Sequence, residues 1–96
     1  MEQLTFGQRL DRMLRMKRMT QSDLARAVGV NRVSVHAWRH GKQMPRAQMI
    51  MKITDALGCT TSDLMDDQTV VDVLNEFFRT LTDEERKKIL DHLKAM

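Results

Sequence analysis

Residues Gln21 to Arg39 read Q-S-D-L-A-R-A-V-G-V-N-R-V-S-V-H-A-W-R, and their spacing predicts two short helices that cross at a sharp angle around a small residue and a glycine. Leu24, Ala25 and Val28 recur at the three- and four-residue intervals of one helical face. Thr20 supplies an N-cap and Asp23 a first-turn acid, so a helix should begin at Gln21. Gly29 stands where that helix must end, because the left-handed residue after a last turn strains any side chain larger than hydrogen. Asn31 can cap a second helix, on which Val35 and Trp38 share one face while Arg32, Val33, His36 and Ala37 look the other way. Helices joined by so short a turn pack closely only if the residue facing the partner is small, and Ala25 is.

This is the geometry of a helix-turn-helix. An ordinary helix hairpin needs only an amphipathic helix followed by glycine. Here apolar Leu24, small Ala25, apolar Val28, Gly29, apolar Val30, Val35 and a large apolar Trp38 all fall at the required offsets. Together with F-G-Q-R-L at Phe6 to Leu10, M-T-Q-S-D-L-A at Met19 to Ala25, G-V-N-R-V-S-V at Gly29 to Val35, W-R-H-G-K at Trp38 to Lys42 and A-L-G-C at Ala56 to Cys59, the chain resembles the repressor and Cro type (XRE-like) of helix-turn-helix regulator found in phage and bacteria. The likeness covers about the first two thirds of the chain. It implies a compact five-helix domain, a third helix lying in the major groove of double-stranded DNA, and a homodimer acting on a two-fold symmetric operator.

Composition agrees. At 96 residues the chain allows one small domain with an appendage. The single cysteine, Cys59, excludes an internal disulfide and a cysteine-rich zinc site, which suits a reducing cytoplasm. Neither a secretory signal nor an apolar run of membrane-spanning length is present, so no membrane partner is expected. The net charge of +3 is unevenly spread: up to Gly58, eleven basic residues face four acidic ones, a balance of +7, whereas from Cys59 onward five basic residues face nine acidic ones, a balance of −4. The basic part attracts phosphate; the acidic part avoids it and is free to bind protein. Some of these charges, such as Arg15 and Lys17, are simply solvated.

Periodicity predicts seven helices and no strand: an all-α fold with a five-helix repressor/Cro-like domain over residues 1–67 and a two-helix hairpin over residues 68–96. Thr5 with Gln8 has capping-box spacing for a first helix through Lys17 that buries Phe6, Leu10 and Met13. After the loop H-G-K-Q-M-P, Ala47 to Leu57 repeats Ile50, Ile53 and Leu57 on one face and stops at Gly58. Thr61 is expected to cap a short helix through Leu64, Asp66 and Asp67 to introduce the sixth, and Thr82 with Glu85 to form a capping box for the last.

On the third helix, Arg32 can donate two parallel hydrogen bonds to guanine, a contact worth about 1–3 kcal/mol of discrimination. Val33 faces outward and is suited to a thymine methyl, the alternative being a stray surface valine; the resemblance implies that this position faces bases. Ala37 can meet a thymine methyl too. Asn31 and Ser34 can bond to bases or phosphates, though Asn31 can equally serve only as a cap. His36 can donate to a base edge or phosphate in a pH-sensitive way, or be a solvated polar residue; with His40 and His92 it makes no trusted metal spacing. No cofactor is expected.

Phosphate contacts fix register without reading sequence. Gln21 begins the second helix, whose free N–H groups and dipole favour an anion, and the resemblance implies this use of a glutamine. Lys42, Gln43 and Arg46 are placed to hold the other side of the groove. Family members commonly pair an arginine of the first helix, where this chain has Leu14, with a glutamate after the tryptophan, where it has Arg39. Both partners are replaced here, so Arg39 is expected to be released to bind phosphate and Leu14 to pack against apolar surface near Trp38.

Val70, Val73, Leu74, Phe77, Phe78 and Leu81 are more apolar surface than one isolated helix needs, and the following helix offers Ile89, Leu90 and Leu93 in return. They are read as an oligomerisation surface, because half-sites about 34 Å apart need a spacer; the alternative is extra core. Nine methionines suit irregular packing. An enzyme is disfavoured, since the chain has no phosphate-binding glycine loop and no motif pairing a nucleophile with a base. It also lacks the length for a self-cleaving protease domain. The leading expectation is a phage or prophage Cro/repressor-type protein. The runner-up is an antitoxin or partner-regulated switch whose C-terminal helices bind another protein, and a nonspecific structural DNA binder comes third.

Overall fold

In the computed structural model, which describes residues 4–94 apart from the side chain of Leu93, seven helices follow one another and no strand forms among the described residues. α1 (Phe6–Met16), α2 (Gln21–Val28), α3 (Arg32–Arg39), α4 (Ala47–Leu57) and α5 (Thr61–Leu64) surround one core; α6 (Asp67–Thr80) and α7 (Asp83–Lys94) follow. This is the expected fold.

Local chemistry sets most of the boundaries. Thr5 and Gln8 exchange side chain for backbone at 3.2 and 2.9 Å, and Thr20 with Asp23 does the same at 3.0 and 2.9 Å, each box satisfying two donors left open at a helix start. α2 stops at Gly29, with φ 79°, and the N–H groups of Gly29 and Val30 both close on the Ala25 carbonyl at 3.0 Å. α4 ends likewise at Gly58, with φ 61°. α1 instead turns on Arg18, a non-glycine residue at φ 55°.

One cap shifts by a residue. The cap of α5 is Thr60, not Thr61: the Asp63 carboxylate accepts from the Thr60 N–H at 2.9 Å and from its hydroxyl at 3.0 Å. Thr61 then occupies the first helical position, where an N–H needs no intrahelical partner.

Leu10, Leu24, Val35, Ile50, Ile53 and Leu64 are fully buried at the centre, joined by Met13, Leu14, Ala25, Val28, Trp38, Ala47, Leu57 and Met65. Leu14 therefore packs into apolar surroundings, as expected. Each large side chain so buried contributes about 1.5–3 kcal/mol. α3 is held between α1 and α2, and α2 rests on α4, so the second and third helices have their inner faces clamped from both sides.

The C-terminal apolar set divides. α6 packs on α4 and α5; Val73 is a core residue of the same protomer, and Val70 and Phe77 lie half-buried against that core. For these three residues the oligomerisation expectation is corrected: helical spacing marks an apolar stripe but not which surface covers it. Leu74, Phe78 and Leu90 are exposed, Leu81 and Ile89 are half-buried, and the side chain of Leu93 lies outside the described set. α7 begins with the Thr82–Glu85 box, and its Arg86 donates to the Phe78 and Arg79 carbonyls at 2.8 and 3.2 Å, capping the end of α6.

Candidate nucleic-acid interface

Burial of Val35 and Trp38 turns the opposite side of α3 outward. Arg32, Val33 and His36 are exposed, Val33 to 72%, while Ser34 and Ala37 are half-buried. Val33 therefore takes no part in the core.

Asn31 caps α3. Its Oδ1 accepts from the Ser34 N–H at 3.0 Å and the Ser34 hydroxyl at 3.3 Å, which commits the oxygen and leaves the amide N–H₂ to face outward chemistry.

The start of α2 lies beside this face. Thr20, Gln21, Ser22, Arg32, Val33, His36 and Arg39 line a single open depression. Here the first turn of α2 and the exposed guanidinium of Arg32 border the same hollow, a combination that favours an anion. The Gln21 side chain is already engaged, its Nε2 donating to the Arg32 carbonyl at 3.2 Å.

Charge accumulates along α3. His36 lies against His40, with ring centroids 4.2 Å apart and ring planes tilted by 44°. Its pKa is pushed below the ordinary histidine value, first by partial removal from water and then by the positive surroundings of His40, Lys42, Arg39 and Arg32. The free protein thus favours a neutral imidazole, able to donate from one nitrogen and accept at the other.

Lys42 and Gln43 follow α3 in a turn closed by their N–H groups on the Ala37 carbonyl at 2.9 and 3.4 Å, with Gly41 at φ 71°. Arg46 is the N-cap residue of α4 but makes no side-chain capping bond. All three are exposed, beyond the C-terminal end of α3 and apart from the depression.

Arg39 is not released. Its Nε donates to Asp11 Oδ1 at 2.6 Å, Nη2 lies 2.6 Å from the same oxygen, and Nη1 donates to Gln21 Oε1 at 2.6 Å. Loss of the family's pair at positions 14 and 39 had suggested a free cation. Instead Asp11, one helical turn before Leu14, supplies the carboxylate, so an ion pair survives with its charges exchanged between helices. The signal was legible: Asp11 is the only acid in α1, among Arg9, Arg12 and Arg15.

Gly7 also shapes this end of α3. A β-carbon there would overlap the Arg39 carbonyl oxygen, lie 2.8 Å from its carbon and 2.9 Å from the Trp38 carbonyl oxygen. Its absence lets α1 sit directly on the end of α3.

These features define a helix-turn-helix module in which the outer face of the second helix is left exposed. The Cro/C1-type HTH DNA-binding domain model matches residues 9–70, and the chain belongs to that family. It is a DNA-binding regulator rather than an enzyme. Among solved structures, the DNA-binding domain of the P22 c2 repressor is similar with a TM-score of 0.64 and 22% identity, over 70% of this chain and 88% of that one. The restriction-modification controller protein C.AhdI from Aeromonas hydrophila is similar with a TM-score of 0.60 and 30% identity, over 62% of this chain and 91% of that one. A chain of the SinR protein/SinI protein complex gives a TM-score of 0.60 at 19% identity over 95% of this chain and 96% of that one, a likeness of fold that extends through the C-terminal helices. No curated protein sequence matches the chain. No described helix is long and apolar enough to cross a membrane.

Proposed function

We propose that this protein is a sequence-specific transcriptional regulator of the phage or prophage Cro/repressor type, which binds a two-fold symmetric operator as a homodimer in the cytoplasm with α3 in the major groove. The observation that carries the reading is the outward face of α3, where Arg32, Val33 and His36 are exposed on a helix anchored by Val35 and Trp38. Arg32 reads guanine, Val33 and Ala37 meet thymine methyl groups, and His36 donates to a base edge or phosphate. Asn31 and Ser34 reach the DNA only with the atoms their mutual bonds leave free. Gln21, at the N-terminal end of α2, meets a phosphate on one side of the groove; Lys42, Gln43 and Arg46 hold the other.

Dimerisation uses the apolar residues that the protomer leaves uncovered, Leu74, Phe78 and Leu90, together with the half-buried Leu81 and Ile89; Leu93, whose side chain lies outside the described residues, joins this set by its sequence position alone. Residues 1–67 then form the reading unit, while residues 68–96 set the distance between the two copies.

Footprinting on the region upstream of the protein's own gene tests the proposal. Two protected half-sites with centres about 34 Å apart are expected. Equal affinity for random and upstream DNA would point instead to a nonspecific binder. A second reading, an antitoxin or partner-regulated switch whose C-terminal helices bind another protein, draws on the likeness to a chain of a two-protein complex over nearly the whole length. Co-purification of a small partner with the hairpin intact, and its loss on Phe78→Lys, would favour it.

A further inference from the structure

Asp11, Arg39, Gln21 and the backbone of Arg32 form one chain of polar contacts that visits three helices. It runs from the carboxylate on α1 to the guanidinium at the end of α3, from there to the amide at the start of α2, and from the amide to the first turn of α3. Arg39 and Asp11 are partly shielded, with side-chain exposures of 30% and 39%.

The chain has a direction. A guanidinium only donates, so the Gln21 atom facing Arg39 must be the oxygen. This turns the amide nitrogen toward the Arg32 carbonyl and the depression between α2 and α3. Without Arg39, the amide orientation of Gln21 rests on its single 3.2 Å bond to the Arg32 carbonyl. Without Asp11, Arg39 is an uncompensated cation beside a phosphate-attracting face and is drawn away from Gln21.

We propose that Asp11 and Arg39 are positioning residues for DNA binding: they act through Gln21 by fixing which end of its amide faces a phosphate, and Arg39 itself neutralises none. The inference rests on the reading that Gln21 contacts a DNA phosphate. It assigns the exchanged ion pair a task beyond joining helices.

The test measures affinity and salt dependence of the full chain and its variants on one duplex, selected from a random library by the unsubstituted protein. Asp11→Ala and Gln21→Ala should each weaken binding about tenfold, the scale of one hydrogen bond to a charged group. The double variant should bind like Gln21→Ala alone, because the first substitution acts through the second residue. Arg39→Gln should lose similar affinity yet keep the slope of log K against log salt. If Asp11→Ala fails to fold, Asp11→Asn keeps the shape, removes the charge and enters the same cycle.

Losses that multiply in the double variant would overturn the inference, and so would a slope reduced by about 0.9 in Arg39→Gln, the mark of a lost phosphate contact. A Gln21→Ala variant that binds like the unsubstituted protein would remove the Gln21 reading itself, and the inference with it.

Discussion

Replacing Gly7 with alanine should separate α1 from α3 although the position lies in ordinary helix. The added β-carbon would overlap the Arg39 carbonyl oxygen and sit 2.8 and 2.9 Å from the Arg39 carbon and the Trp38 oxygen. Comfortable contacts of this kind lie near 3.5 Å or beyond, so α1 must withdraw by about 0.5–1 Å. The obstructing atoms are backbone and cannot rotate aside. Overpacking against them costs about 1–3 kcal/mol, toward the upper end here. Alanine's helix propensity returns at most about 1 kcal/mol. The net loss is about 2 kcal/mol, which for a chain of this size lowers Tm by roughly 10 °C. Helical circular dichroism followed through thermal and urea unfolding measures it. Withdrawal of α1 also carries Asp11 away from Arg39, so DNA affinity should fall in the same variant. Gly41→Ala is the comparison: its β-carbon meets nothing within 4 Å, but φ is 71°, so it should lose only about 1–2 kcal/mol of backbone strain and leave α1 in place. A Gly7→Ala protein as stable as the original would refute the close-approach argument.

Four further outcomes follow from the same geometry. Arg32→Ala should relax specificity at one base pair by about 1–3 kcal/mol, read by comparing its selected sites with those of the original protein; an unchanged preference at every position would take Arg32 off the reading face. Lys42→Ala and Arg46→Ala should weaken binding to all sequences alike and reduce the salt slope by about 0.9 each, and an unaltered slope in both would place the second phosphate anchor elsewhere. Phe78→Lys with Leu90→Lys should leave the fold intact, because both side chains are exposed, yet dissociate the homodimer in sedimentation; a persisting dimer would move the interface off the hairpin. Acid should destabilise the fold through its helix caps. Backbone hydrogen bonds at Thr20, Thr60, Thr69 and Thr82 hold the carboxyls of Asp23, Asp63, Asp66 and Glu85 below their ordinary values of 3.8 for aspartate and 4.5 for glutamate. Their contribution is therefore full above those values and drains away as pH falls through the lower folded ones; Asp63→Asn should flatten part of that decline in urea titrations between neutral and acid pH.

The turn between α2 and α3 was legible because everything that shapes it is local. Thr20, Asp23, Gly29 and Asn31 act on backbone groups within a few residues, and the spacing of Leu24, Val28, Val35 and Trp38 dictates which faces turn inward. The outward set on α3 followed by subtraction. Thr60 displaced Thr61 as a cap because two adjacent threonines present the same local signal and only the backbone path chooses between them.

By itself, then, the sequence determined the seven helices, most of their caps, the basic N-terminal part and the residues of α3 left to face outward, since each depends on periodicity or on neighbours a turn away. Tertiary structure decided what distance along the chain conceals. The partner of Arg39 stands 28 residues before it, Gly7 is required by the end of α3, and Val73 is covered by the protomer's own core rather than by a second copy. Each is a question of which surfaces meet. Helical periodicity can mark a face as apolar or charged, but only the packing of whole helices brings a particular carboxylate, carbonyl or apolar surface against it.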